Sequence, residues 1–403
     1  MQGLVKNIPG IVEKEIARER QKQVLLGQLA SNGDCLYATA VARQIKHDFP
    51  GCHLTWAIGS MCRPILYGNP YIDEVWEIPM KNREEMDVAW QQFEKAALAR
   101  KDKQEFDEIY MTQISPGNLQ NYDGTIRSSI FRGYSKPITV PVSPVIRLSD
   151  TEIQNVRNFS AAHRLPVRDH VILFESSPKS AQSFITPEFA LEVTKQLIVK
   201  VPNLAVILSS NEPVFSNSEN IIDGSGLTFR ENAELTKSCS LFIGCSSGIS
   251  WLATSDWAKP LPMIQLLKVD APFVASFIHD FERWGLSSDS VLEMSECLPE
   301  KVVQCVITAL TQGFQTAKKT FHETIPVKFK THGAISLLLL SRGEFQKVVH
   351  FISINIRSHR AHPALIGNLL MSFIKYLLIL IVFRPFRSVF KKKSFIKLYK
   401  RLL

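Results

Sequence analysis

The sequence predicts an α/β protein of two Rossmann-like halves facing each other across a cleft, followed by a C-terminal tail that is helical, apolar and then basic. Three observations predict it. Short apolar runs of strand length alternate with helical patterns through the first third of the chain, as in a parallel, doubly wound sheet. A connector carrying Pro137, Pro141, Pro144 and Pro166 interrupts the alternation, which then starts again. Finally, 403 residues at 45% hydrophobic content suffice for two cores and a tail.

Residues 1–22 read as a polar, amphipathic helix, not a cleavable signal peptide. The apolar run opening at Gln23 ends in Ser31-Asn32-Gly33, and a helical pattern follows over 34–48, with apolar residues at Leu36, Ala40, Val41 and Ile45. The carboxyl end of such a strand faces the ligand crevice of an open α/β sheet, so Asp34 is placed at a helix start looking into it. There the helix dipole keeps a carboxylate ionised and able to accept a proton from a bound hydroxyl. The same position equally suits a plain helix N-cap.

The turn Phe49-Pro50-Gly51 leads to a strand at 52–59, and Gly68-Asn69-Pro70 announces another at 72–79. A charged helix spans 84–103 before the strand at 106–111. The connector, 134–168, holds a short polar helix at 151–163. In the second half, strands at 171–174, 204–208, 241–243 and 262–267 alternate with helices at 187–201, 233–238 and 247–255, the last strand closing the series. A closing helix lies near 300–311. The domains are therefore 1–150, 165–330 and a tail from 331 to 403.

Charge and cysteine content exclude several classes. From Arg342 onward thirteen Lys and Arg face the single acid Glu344, so the net +9 of the whole chain is a property of the tail and the domains are slightly acidic. Nucleic-acid binding would need basic, aromatic-bearing domains, so no nucleic acid is expected and anionic lipid is the better partner. Seven cysteines without CxxC spacing suit a reducing compartment, and neither they nor the ten histidines form a zinc pattern.

Two loops carry chemistry suited to phosphate. Ser176, Ser177, Lys179 and Ser180 follow a strand and offer hydroxyls, backbone N–H groups and one cation; a serine-rich surface loop would look the same. At Gly244-Cys245-Ser246-Ser247-Gly248 small residues at a strand end run straight into an apolar helix, letting a phosphate or ribose approach the positive end of the helix dipole. A close-packed strand-helix junction has the same signature. Glu231, before a short helix, is a candidate for ribose hydroxyls or an ordinary surface carboxylate.

The order of these pieces resembles glycosyltransferase family 9, the family of the lipopolysaccharide heptosyltransferases. Carrying the resemblance are the first-strand Gly33-Asp34 turn, Asn69-Pro70 followed by Ile72-Asp73-Glu74-Val75, the Ser/Lys loop that opens the second half, and the unit from Gly244 to Lys259-Pro260. It spans roughly residues 24–267 and implies the glycosyltransferase B fold, with acceptor on the N-terminal domain and nucleotide-sugar donor on the C-terminal one. The family's general base falls on Asp34 and its donor phosphate loop on Ser176, Ser177 and Lys179; its glycine-rich pattern falls on Gly244 to Leu252, bringing Ser246, Ser247 and Gly248 to the donor. The sequence departs from the pattern where Ser246 replaces an acid, Trp251 a histidine and Gln182 a lysine. The variant resembles the branch containing protein heptosyltransferases. The resemblance implies inverting displacement with Asp34 as base and the serines, Lys179 and the dipole of the helix after Ser247 stabilising the departing diphosphate, with no metal and no further cofactor.

Residues 364–383 are long enough to cross a bilayer, but Lys375 near their centre costs about 2.5–3.5 kcal/mol there. Asn368, Ser372 and Lys375 share one helical face. A single span from the cytosol, where nucleotide sugars are, would export the eight cations between Arg384 and Arg401 against the positive-inside rule. An in-plane or shallow helix with the basic segment on anionic lipid, through 364–401, satisfies both constraints. The implied location is the cytoplasmic face of a bacterial inner membrane, peripheral or monotopic, with a lipid-linked saccharide as acceptor. Protein O-glycosylation and a non-catalytic glycan-binding or partner-binding relative are the alternatives.

Overall fold

The structure is a computed structural model and describes residues 20–178, 180–271, 273–295 and 297–383. The helix expected before residue 22 falls almost wholly outside the described residues, as do Lys179 and the basic cluster from Arg384 onward.

The first half comprises β1 (Gln23–Gly27), α1 (Asn32–Asp48), β2 (His53–Gly59), β3 (Glu74–Ile78), α2 (Met86–Asp102), β4 (Glu108–Met111) and α3 (Ile126–Arg132). Its four strands are all parallel, in the order β3-β2-β1-β4. Val24, Leu25 and Leu26 of β1 have no exposed surface, which is why this strand reads as an unbroken apolar run instead of an alternating one. Gly27 ends it because a Cβ there would stand 2.7 Å from the Phe93 ring of α2.

The connecting helix α4 (Asp150–Ala162) starts on a capping box between Ser149 and Glu152. The second half follows with β5 (His170–Glu175), α5 (Pro187–Lys200), β6 (Leu204–Ser209), β7 (Ile221–Asp223), α6 (Glu231–Leu235), β8 (Leu241–Gly244), α7 (Gly248–Leu252), β9 (Met263–Leu267), α8 (Phe277–Arg283), β10 (Val291–Ser295), α9 (Pro299–Thr311) and α10 (Phe314–Phe321). Six parallel strands run in the order β10-β9-β8-β5-β6-β7, which, counted within the half, is the 3-2-1-4-5-6 order of a doubly wound sheet. The expected elements are present, but the series does not close at β9. The added strand β10 escaped notice because it buries Glu293 in its middle; that carboxylate accepts hydrogen bonds from Ser276 Oγ at 2.9 Å and Ile278 N at 3.0 Å.

Three further helices, α11 (Lys330–Ser341), α12 (Phe345–His359) and α13 (Pro363–Phe383), return to the first half. Asn355 donates to the Tyr122 carbonyl at 2.9 Å, and His359 bonds the Asp123 carbonyl at 2.6 Å. Burial works against ionisation of Asp123, but the Arg132 and Arg283 guanidiniums outweigh it and hold the carboxyl below its ordinary range. Two histidines meet here: His332 and His359 have ring centroids 5.7 Å apart, and burial pushes His332 down to about 4. The stretch from residue 331 is thus a packed layer up to α12. Along α13, Leu365, Leu369 and Ser372 are buried, and Asn368 O lies 2.9 Å from where a Cβ on Gly333 of α11 would stand. The polar face read from Asn368, Ser372 and Lys375 is therefore divided, Ser372 turning inward and Lys375 outward, while Leu370, Ile374, Leu377 and Ile381 are exposed.

Candidate active site between the two halves

A doubly wound sheet binds ligand where its strand order reverses, at the carboxyl ends of two neighbouring strands. Those points lie between β1 and β4 in the first half and between β5 and β8 in the second. The segments after all four strands line one cavity of about 640 Å³, within the range of small-molecule sites.

Asp34 is the third residue of α1, after the N-cap Ser31, and it lines this cavity. The N-cap is thus Ser31 and not Asp34, which stands in the first turn with its carboxyl near the Ser31 N–H. Burial raises its pKa to about 6; Arg83 and the Ser31 N–H pull the other way without cancelling it. The dipole alone therefore does not fix its charge, and the Asp34 carboxyl changes charge just below neutral pH.

Opposite stands the β8–α7 unit. A Cβ on Gly33 would lie 3.5 Å from Trp251 Cδ1, and one on Gly248 would lie 3.4 Å from Asn32 Cβ, so the starts of α1 and α7 meet face to face. Ser246, Ser247 and Gly248 all line the cavity. Ser246 holds φ at +52°, uncommon for a residue with a Cβ, and its buried Oγ has no hydrogen-bond partner, while its N–H donates to Gln265 Oε1 at 3.0 Å. Ser177 and Ser180 of the β5 loop also line the cavity.

Other expected residues stand elsewhere. Ser176 is fully buried and does not line the cavity, because its hydroxyl and its N–H both donate to the Ser209 carbonyl at 3.0 Å, tying β5 to β6. Glu231 opens α6 away from the cavity wall, where it accepts from Asn155 Nδ2 at 3.0 Å and Thr228 N at 2.7 Å. The positive end of α7 is also taken. Glu175, at the end of β5, accepts from Ile249 N at 3.1 Å, Ser250 N at 3.2 Å and Ser250 Oγ at 2.5 Å, so those donors are not free for a diphosphate.

Gly244 makes that arrangement possible. A Cβ there would press on Ser250 Oγ and the Phe242 ring and stand 2.5 Å from Gln265 Nε2. Gly244→Ala is expected to lower stability by about 1–3 kcal/mol, the usual cost of overpacking a full core, read as an earlier urea midpoint at unchanged m. A midpoint equal to wild type would show that the Glu175–Ser250–Gln265 network yields without cost.

Sequence reasoning missed three charged residues at the cavity: Arg83, Glu175 and Asp280. Glu175 carried a signal, a charge ending an otherwise apolar strand; Arg83 and Asp280 sit in polar or mixed stretches and carried none. Among the described residues no three His, Cys, Asp or Glu side chains cluster as metal ligands.

No protein-family model and no curated protein sequence matches the chain. Solved structures do. A family 9 glycosyltransferase from Veillonella parvula matches at 13% identity over 72% of this chain and 97% of that one, with a TM-score of 0.50. The E. coli ADP-heptose LPS heptosyltransferase II matches at 14% identity over 72% and 99%, with a TM-score of 0.49. E. coli heptosyltransferase WaaC with ADP matches at 13% identity over 71% and 99%, with a TM-score of 0.42. Two parallel doubly wound sheets over one cavity, and the similarity to the Veillonella structure along nearly its whole length, give this chain the fold of that family 9 glycosyltransferase, a glycosyltransferase B fold.

Proposed function

We propose that the protein is an inverting glycosyltransferase that moves a sugar, heptose or a related one, from a nucleotide-sugar donor to a hydroxyl of a lipopolysaccharide-core or other envelope glycan. The observation that carries the reading is the Asp34 carboxylate, raised to about 6 and set at the cavity face opposite Ser246, Ser247 and Gly248. In this scheme Asp34 takes the proton of the acceptor hydroxyl while its oxygen attacks the anomeric carbon, and the nucleoside diphosphate leaves from the opposite side. Ser177, the unpartnered Ser246 hydroxyl and the Ser247–Gly248 backbone receive the departing oxygens. Lys179, whose placement lies outside the described residues, and Arg83 supply positive charge, so the scheme uses no metal ion and no cofactor beyond the donor.

The sugar and the envelope acceptor come from the sequence resemblance to family 9. The exposed apolar face of α13 supports an anchor on anionic membrane at the cytoplasmic face, where a lipid-linked acceptor would be met. One observation favours a different reading: Glu175 places a carboxylate where the diphosphate was expected, as in a relative that binds glycan without transferring sugar. A thermal-shift panel of ADP, UDP, GDP and their sugars separates the two. One nucleotide series is expected to raise Tm by several degrees at saturating ligand. No shift with any nucleotide would overturn the transferase reading.

A further inference from the structure

One buried carboxylate of the cavity has no part in that chemistry. Asp280, on α8, lines the cavity with a side chain only 7% exposed. Arg127 Nη2 of α3 lies 3.0 Å from its Oδ2, yet the pair is misaligned and Oδ2 accepts no hydrogen bond. Arg127 Nη1 donates to the Val142 carbonyl at 3.5 Å, and its guanidinium lies 4.9 Å from the Tyr37 ring centroid and 5.6 Å from that of Trp251. Trp251 in turn stacks on Phe277, centroids 3.6 Å apart at 8°, which fixes the indole plane.

The corner therefore combines a carboxylate that is ion-paired but accepts no hydrogen bond at Oδ2 and two positioned aromatic side chains, Tyr37 and Trp251, that also line the cavity. Arg127 balances the carboxylate charge, so this corner suits an uncharged ligand better than a phosphate. A carboxylate accepts from hydroxyls, and the edges of Tyr37 and Trp251, whose ring planes are taken by Arg127 and Phe277, wall the corner with apolar surface for C–H groups; together these are the requirements of a sugar. Trp251 follows the Ser246–Gly248 loop by three residues, so a sugar joined to a diphosphate at that loop stands beside it.

We propose that Asp280 recognises the transferred sugar, accepting hydrogen bonds from its ring hydroxyls against Tyr37 and Trp251 while Arg127 positions the carboxylate. This rests on the glycosyltransferase reading. Calorimetric titration of the full chain with ADP, UDP and GDP and with their glucose and mannose conjugates tests it. For whichever nucleotide binds, Asp280→Asn is expected to weaken the sugar conjugate about tenfold and to leave the free nucleoside diphosphate within about twofold. Because the neutral amide leaves Arg127 buried without a counter-charge, the double variant Arg127→Met with Asp280→Asn removes both charges and keeps the corner packed; it should show the same selective loss. Unchanged conjugate binding in either variant, or equal loss of conjugate and free nucleotide, overturns the proposal and leaves the transferase reading standing. A wild-type chain that binds no nucleotide and no conjugate overturns both.

Discussion

Asp34→Asn is expected to lower sugar transfer by about 10²- to 10⁴-fold, the range for loss of a positioned general base, and at the same time to raise the melting temperature at neutral pH. The opposite signs follow from one cause. Burial lifts the Asp34 pKa from 3.8 to about 6, so between those values the native state holds a proton that the unfolded chain has released. Stability then falls as pH rises through this window and stays lower above it, because the native state must carry a desolvated charge. Above pH 6 the cost is about 1–3 kcal/mol, and asparagine, uncharged at every pH, removes it. The gain should therefore appear at pH 7.5 and vanish near pH 3.5. In the wild type kcat/KM should rise with pH and level off above about 6, since only the ionised form takes a proton. A variant that keeps full activity, or a profile flat from pH 5 to 8, would remove Asp34 from the base role.

This coupling also shows which parts of the site the sequence discloses. Strand ends announce themselves: the run into Ser31-Asn32-Gly33, the run into Ser176-Ser177 and the run into Gly244 locate three of the four loops around the cavity, since turn and cap chemistry are local. Side-chain direction is not local. Ser176 and Ser177 are adjacent and chemically identical, yet one binds the Ser209 carbonyl and the other faces the cavity, a distinction set by the neighbouring strand β6. Glu231 was similarly claimed by Asn155 of the connector helix, a partner 76 residues away in the chain.

Glu175 illustrates the same limit from the other side. A charge at the end of a buried strand is visible in sequence, but its meaning depends on α7, whose N–H groups it caps from 74 and 75 residues off. The dipole of α7 is thus satisfied by the protein itself, and in the proposed scheme the diphosphate is left to hydroxyl and backbone groups of the loops. Strand β10 was missed for a related reason, because Glu293 breaks its apolar pattern and the Ser276 hydroxyl with the Phe277 and Ile278 N–H groups makes its burial tolerable.

Exchanging Leu370, Ile374, Leu377 and Ile381 for glutamate is expected to release the protein from anionic vesicles without unfolding it. These residues are 57, 40, 42 and 70% exposed, so their replacement removes little from the core. Leu365, Leu369 and Ser372 of the same helix are buried and the helix packs along α11, an arrangement suited to a helix lying along a membrane more than to one crossing it. Each side chain that enters the acyl boundary contributes roughly 1.5–3 kcal/mol when fully buried, so four partly inserted ones amount to roughly 3–6 kcal/mol, or about 10²- to 10⁴-fold in partitioning. Salt separates this contribution from that of the basic segment beyond Arg384, whose attraction to lipid is screened within about 8 Å at physiological ionic strength. Wild-type protein should stay on vesicles of mixed neutral and acidic lipid in 0.5 M NaCl, in which the variant floats free. Retention of the variant at high salt would mean that the exposed face of α13 is not what holds the membrane.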